Sequence, residues 1–148
     1  MMDPLIALTL DRPARVYHGG ETMRVEYQVD AVDPKEIQAV ETSVLWFTEG
    51  KGEPDMGVHF FRRSTPEEGQ GDLRPMRRLD VELPPSPLTY DGVILKIRWC
   101  VRVRLFLTKG REYLEELPFQ LGDVPTAEPV ESSDTIADSA DKETMQKR

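Results

Sequence analysis

The sequence predicts an all-β protein, an antiparallel sandwich of two sheets that form one domain. Apolar and polar residues alternate through several short segments, and turn residues separate these segments at intervals of about eight to twelve residues. No amphipathic helical period of about 12 residues or more interrupts them before residue 122. The 148 residues are enough for one domain with a full hydrophobic core.

The first half of the chain contains four predicted strands. Residues 5–10 are apolar enough for a first strand. After a turn with two adjacent glycines, residues 23–29 alternate apolar with polar side chains, which is typical of a strand with one buried face. Residues 40–47 become apolar on both sides towards their end, as in a strand that is covered on both faces. Residues 58–61 follow a polar loop and complete a hairpin with the preceding strand.

The second half predicts three further strands. Residues 79–83 alternate before a proline-rich link, and residues 113–121 return after a tight turn. Between them, residues 93–107 are apolar at every second position, and this segment would reach about 50 Å if fully extended. We therefore expect it to bend, or to carry a bulge where it moves between sheets. Trp46 and Trp99 occupy apolar positions of their segments and are predicted core anchors.

Composition limits the classes of function. The net charge of −8 disfavours nonspecific attraction to nucleic acid or to anionic lipid. Cys100 is the one cysteine, which excludes an internal disulfide and a multi-cysteine metal site. A signal peptide and an apolar run of about 20 residues are both lacking, so we expect a cytoplasmic protein that does not insert into a membrane. The acidic loop 49–55 lacks a calcium-binding pattern and no phosphate-binding loop is present, so no metal or cofactor is predicted.

The composition changes near Gly122. Residues 123–148 contain seven acidic and three basic residues and no aromatic residue. Such a segment buries too little apolar surface to offset the entropy lost on ordering. We therefore predict a sandwich over residues 1–122 and a disordered acidic tail over residues 123–148.

Four cations lie on one side of the long segment, at Lys96, Arg98, Arg102 and Arg104, and are called here the basic ridge. Alternate residues of a strand are about 7 Å apart, so these like charges repel unless acids lie close by. One hypothesis pairs them with acids of neighbouring strands. The candidates are Asp80, Glu82, Glu112, Glu115 and Glu116. The other hypothesis makes the ridge a partner-binding site for an acidic or phosphorylated peptide, or for the acidic tail.

Two stretches resemble the arrestin N-terminal-type sandwich. The matching features are Leu83 and Pro84, the link 85–87, Tyr90, Asp91 and Gly92, the alternating segment 93–107, and Gly20 and Glu21 before residues 23–29. The resemblance implies an immunoglobulin-like antiparallel β-sandwich of the arrestin type. The chain has length for one such sandwich, so single-domain relatives similar to bacterial sporulation-control proteins are the nearer analogy. The resemblance also implies a non-catalytic scaffold that binds another protein.

Three functional hypotheses follow. The first is a non-enzymatic cytoplasmic protein-interaction module whose partner is another protein. The second is a regulatory accessory subunit that binds an anionic partner through the basic ridge. The third is an enzyme whose site the sequence does not reveal, since His18 and His59 lack a recognisable nucleophile motif. Cys100 is interpreted as a small buried residue, and the alternative is a thiol made reactive by neighbouring cations.

Overall fold

A computed structural model describes residues 3–67 and 71–123. Within these ranges the chain forms nine strands and two short 3₁₀ turns. The strands are β1 (Leu5–Leu10), β2 (Val16–Tyr17), β3 (Thr22–Asp30), β4 (Ile37–Gly50), β5 (Met56–Ser64), β6 (Arg77–Glu82), β7 (Tyr90–Asp91), β8 (Leu95–Leu107) and β9 (Glu112–Leu121). The 3₁₀ turns are Pro34–Glu36 and Thr108–Gly110. The predicted tail, apart from Asp123, lies outside the described residues.

The strands form two sheets, and the predicted all-β sandwich is confirmed. The small sheet has the order β1-β3-β6. The large sheet has the order β2-β9-β8-β4-β5, and β7 pairs with the first residues of β8. The pairings are antiparallel except that β2 runs parallel to β9. The seven predicted strands are all present, whereas the two-residue strands β2 and β7 are too short to produce a sequence pattern.

The core lies between the two sheets and takes alternate residues from each strand. In β3 these residues are Met23, Val25, Tyr27 and Val29, and in β8 they are Trp99, Val101, Val103, Leu105 and Leu107. Trp99 is 1% exposed, and its indole N–H donates a hydrogen bond to the carbonyl oxygen of Pro87 at 2.7 Å. Trp46 is half-buried and packs against this cluster. Burying one face of each strand is the main source of stability in such a sandwich.

The long strand does not bend between sheets as predicted. β8 remains in the large sheet for 13 residues, because the 14 residues of β4 pair with it along nearly its whole length. The irregularities lie in the pairings of β4, between Ile37 and Ala39 opposite β8 and between Val44 and Leu45 opposite β5. The segment also begins later than predicted, since Val93 and Ile94 belong to an exposed turn before β8.

A hydrogen-bonded polar cluster joins the end of β1 to β2 and β3. The Tyr17 hydroxyl donates to Asp11 Oδ1 at 2.6 Å, and the backbone N–H of Arg24 donates to the same oxygen at 3.2 Å. Burial and the hydrogen bond to Asp11 raise the pKa of Tyr17 to about 12. The backbone N–H of Gly122 donates to the carbonyl of Tyr17 at 2.7 Å. Tyr17 therefore joins this cluster to the residue that follows β9.

Candidate functional site

The basic ridge lies on the outer face of the large sheet, away from the core. Its side chains alternate with buried residues of β8, as the sequence pattern predicts. Their exposed fractions range from 26% for Arg102 to 40% for Lys96. Cys100 occupies the middle position of the same face and is buried.

Every ridge cation lies close to a carboxylate of a neighbouring strand. The pairs are Lys96 Nζ to Asp91 Oδ1 at 3.2 Å, Arg98 Nε to Glu49 Oε1 at 3.2 Å, Arg102 Nε to Glu116 Oε2 at 2.6 Å, and Arg104 Nε to Glu112 Oε1 at 3.8 Å. The acids come from strands on both sides of β8. Their attraction for the ridge cations offsets the repulsion of these cations for one another. An anionic ligand would therefore have to compete with carboxylates that are already in place.

The candidate acids divide into correct and wrong predictions. Glu112 and Glu116 are paired with the ridge as the first hypothesis expected. Asp80 and Glu82 are not, because β6 belongs to the small sheet, where Asp80 pairs with Arg24 at 3.1 Å. Glu115 lies directly opposite Val103, and alternation therefore assigns it to the core-facing side of β9.

Two acids of the ridge were missed. Glu49 lies near the end of β4, and Asp91 lies in the short strand β7. No local sequence signal places either residue beside the ridge, because the strand order of a sheet depends on contacts between distant segments.

The ion pair between Arg102 and Glu116 gives a testable prediction. Arg102→Glu is expected to lower the free energy of unfolding, because two carboxylates would then lie directly opposite each other on β8 and β9. The double variant with Glu116→Arg should recover about 0.5–1 kcal/mol relative to the sum of the two single variants. Urea unfolding of the four proteins measures this coupling. A coupling near zero would mean that the pair contributes nothing to folding.

An apolar row crosses the same outer face from strand to strand. Val58, Leu45, Cys100 and Pro118 lie opposite one another on β5, β4, β8 and β9, and are called here the apolar row. Val58 and Pro118 are exposed at its two ends, whereas Leu45 and Cys100 are buried in its middle. The wet face of an antiparallel sheet is usually polar, so this row departs from the usual pattern.

An open depression lies beside the apolar row. Its volume is about 410 Å³, and Phe47, Cys100 and Pro118 contribute its apolar lining, while Arg98 and Glu116 contribute its polar edge. The ion pairs of Arg98 with Glu49 and of Arg102 with Glu116 lie along the row. An apolar centre with a rim of satisfied charges is the arrangement found in many protein–protein interfaces.

The strand β5 forms one edge of the large sheet. It pairs with β4 on one side, and no other described strand pairs with it on the other side. Its side chains Met56, Val58 and Phe61 are 52%, 55% and 55% exposed. An unpaired strand edge with exposed apolar side chains can accept a further strand.

Two candidate catalytic groups have structural partners. His59 Nε2 lies 2.6 Å from the carbonyl oxygen of Glu82, to which it donates a hydrogen bond, and its ring lies roughly perpendicular to that of Trp99, with ring centroids 6.3 Å apart. His18 lies between Glu21 and Asp123, with its Nε2 at 3.0 Å from Asp123 Oδ1. The hydrogen bond of His59 joins β5 to the last residue of β6, and the contact of His18 with Asp123 joins the turn before β3 to the segment after β9.

The hypothesis that Cys100 is a reactive thiol is wrong. Burial and the nearby Glu116 carboxylate raise the pKa of the Cys100 thiol to about 11, and the opposing effect of Arg102 is smaller. The thiol therefore stays protonated near neutral pH, and the thiolate is the reactive form. Among residues 3–67 and 71–123, no cluster of three or more acidic, histidine or cysteine side chains is arranged to hold a metal ion. The same part of the chain contains no helix of the length and hydropathy needed to cross a bilayer.

No family model and no curated protein sequence matches the chain. A match among solved structures is the sporulation control protein Spo0M from Bacillus subtilis, with a TM-score of 0.60 and 13% sequence identity. The chain shares the fold of Spo0M. The match covers 83% of this chain and 51% of Spo0M, so the chain spans about half the length of that protein. Because Spo0M has an arrestin-like fold, the predicted resemblance to the arrestin sandwich is confirmed at the level of the fold.

Proposed function

We propose that the chain is a non-enzymatic regulatory module that binds another protein on the outer face of its large sheet. The observation that carries this proposal is the apolar row, which crosses four strands on the face that is usually polar. Phe47 and Phe61 add apolar surface on either side of it. Partner binding would bury this surface, and apolar patches of this kind are often interaction sites on soluble proteins.

The surroundings of the row suit a protein partner better than a small molecule. The depression of about 410 Å³ is open, and the charged groups at its edge are already paired. A small-molecule site usually encloses its ligand and directs several polar groups towards it. The acidic net charge disfavours a nucleic acid as the partner.

The fold comparison supports the regulatory part of the proposal. Spo0M is described as a sporulation control protein, and the match in fold covers about half of the length of Spo0M. A fold alone does not carry a function, so the proposal depends on the surface of this chain. We place the module in the cytoplasm, because its cysteine is a free thiol and no disulfide supports the sandwich.

The basic ridge supports the alternative, an anionic or phosphorylated partner, less well. Each of its four cations lies within 3.8 Å of a carboxylate. Binding a phosphate would require breaking at least one of these pairs before any contact is gained. The ridge then contributes the polar rim of the surface, while the apolar row contributes its centre.

The test is partner capture with matched surface variants. The protein is immobilised, exposed to an extract of its source organism, and the retained proteins are quantified by mass spectrometry. Phe47→Lys combined with Pro118→Lys should reduce the retained partner at least about tenfold, because both changes place a charge beside the apolar row. Leu114→Lys should have little effect, since Leu114 is exposed on the same face but lies opposite Arg104, away from the row.

A third variant separates the two candidate functions. Arg98→Gln combined with Arg102→Gln removes two ridge cations and leaves the apolar row in place. Retention of the partner by this variant and its loss from the Phe47 and Pro118 variant supports the proposal. The reverse pattern would favour the anion-binding alternative, and equal capture by all variants would contradict both.

A further inference from the structure

The edge strand β5 has a sequence that is complementary to itself when two copies are placed antiparallel. A twofold axis between His59 and Phe60 sets Val58 opposite Phe61 of a second copy, on the outer face of both sheets. The same axis sets Met56 opposite Arg63 and Gly57 opposite Arg62. Val58 and Phe61 are each 55% exposed in the single chain, and cross-strand apolar pairs of this kind stabilise antiparallel sheets.

The bulge in β5 makes this axis compatible with the faces of the strand. Val44 pairs with Phe60 and Leu45 pairs with Val58, so His59 is the extra residue. Phe60 packs against the core, and His59 contacts Trp99. Val58 and Phe61 therefore lie on the same outer side although they are three positions apart. With the axis at the bulge, the strand has two regular halves, residues 56–58 and residues 61–63. Residues 56–58 of each copy then pair with residues 61–63 of the other copy.

The charges at the two ends of the strand are also complementary. Arg62 lies opposite the buried Thr42, and Asp55 continues the strand towards Thr48, whose N–H donates to the Asp55 carbonyl at 2.9 Å. Thr42 and Thr48 are both even-numbered positions of β4, so Arg62 and Asp55 extend on the same side of the sheet. In the symmetric pair, Arg62 of one copy is diagonal to Asp55 of the other, within reach of a long side chain.

Two details of the strand bear on this ion pair. Gly57 of the second copy lies directly opposite Arg62, and the Trp46 indole fills the position that a Cβ of Gly57 would take. The guanidinium would therefore have to lie along this indole to approach Asp55. Within the described part of the chain, Arg62 takes part in none of the ion pairs, whereas Arg63 pairs with Glu41 at 2.6 Å.

We propose that β5 is a self-association edge, through which two copies of the chain join their large sheets into one continuous sheet. An unrelated strand would need four matching features. It would need an apolar residue across from Val58 and another across from Phe61, together with an acidic residue near Arg62 and a basic residue near Asp55. A second copy of β5 supplies all four at the required spacing. The interface is isologous, so it closes after two copies and leaves no further strand edge at β5. It brings the two outer faces side by side and goes beyond the binding of a different protein.

The test uses two charge reversals that should fail alone and succeed together. Sedimentation equilibrium of the full chain at about 1–300 µM and low salt should show a dimer that dissociates on dilution. Asp55→Arg and Arg62→Glu should each weaken dimerisation at least about tenfold, because like charges then meet at both ends of the interface. An equimolar mixture of the two variants should form a heterodimer. In it, Arg62 of one variant lies near Asp55 of the other, and the introduced arginine lies near the introduced glutamate.

Lys35→Glu is the matched control, since it reverses an exposed charge in the turn before β4 and should leave dimerisation unchanged. Hydrogen exchange gives a second measurement, because backbone amides within residues 56–64 should become protected as the concentration rises. A chain that remains monomeric at the highest concentration would overturn the proposal. So would a dimer that persists in both reversal variants, or a mixture that does not associate.

Failure here and failure of partner capture are distinguishable. Asp55 and Arg62 lie outside the apolar row, so their variants should retain the partner captured on the outer face. The Phe47 and Pro118 variant should still dimerise. Urea unfolding of each variant is measured as well. A variant that loses both activities and also has a lowered unfolding midpoint has a folding defect, and it is left out of the comparison.

Discussion

Replacing Trp99 with alanine is expected to lower the free energy of unfolding by about 3–5 kcal/mol. The indole is 1% exposed and lies against Phe119, with ring centroids 5.7 Å apart. Its N–H satisfies the carbonyl of Pro87 at 2.7 Å, which would lose this donor in the variant. The loss combines a cavity in the core with a partly buried acceptor that has lost its donor.

Urea unfolding at equilibrium measures this effect, and Trp99→Phe is its control. Phenylalanine keeps most of the apolar volume but cannot donate to Pro87, so a smaller loss of about 1–2 kcal/mol is expected. The difference between the two variants separates packing from hydrogen bonding. A loss below about 1 kcal/mol for Trp99→Ala would contradict the position of Trp99 in the centre of the core.

Gly50→Ala is expected to cost about 1–3 kcal/mol from backbone strain, with a further penalty from a steric overlap. Gly50 ends β4 with φ at +128°, a conformation that side-chain-bearing residues rarely adopt. An added Cβ would overlap the backbone carbonyl of Ile94, which accepts a hydrogen bond from the Lys51 N–H at 3.2 Å. Relief of the overlap requires movement of the backbone where β4 meets β8.

Gly52→Ala separates the two contributions. Gly52 also has positive φ, at +100°, but an added Cβ there meets nothing within 4 Å. Thermal unfolding of both variants should therefore show a smaller decrease in melting temperature for Gly52→Ala than for Gly50→Ala. Equal decreases would indicate that backbone strain alone accounts for both, without the contact at Ile94.

The sequence was sufficient for the seven longer strands and for the faces of those that are regular. Alternation is a local property, and a period of two specifies which residues share a side wherever the segment is extended. The ridge from Lys96 to Arg104 could therefore be assigned to an outer face before any pairing was known. The same reasoning identified Trp99 as a core residue.

The sequence was not sufficient for the neighbours of each strand. Assigning Asp80 to the ridge failed because adjacency along the chain does not determine adjacency in a sheet. The apolar row was also missed, since its four members come from four separate segments and each looks ordinary in its own strand. The bulge at His59 had no sequence signal, and without it Val58 and Phe61 would be assigned to opposite faces.

The strand order has a practical consequence for attaching the protein to other molecules. The described chain ends beside β2, where the Gly122 N–H is bonded to Tyr17, and β2 is at the opposite margin of the large sheet from β5. A dye, an affinity tag or a sensor chip attached at residue 123 would therefore lie on the far side of the molecule. Attachment at this residue should keep the β5 margin facing the solution, whereas coupling through Lys51, in the turn before β5, would obstruct it.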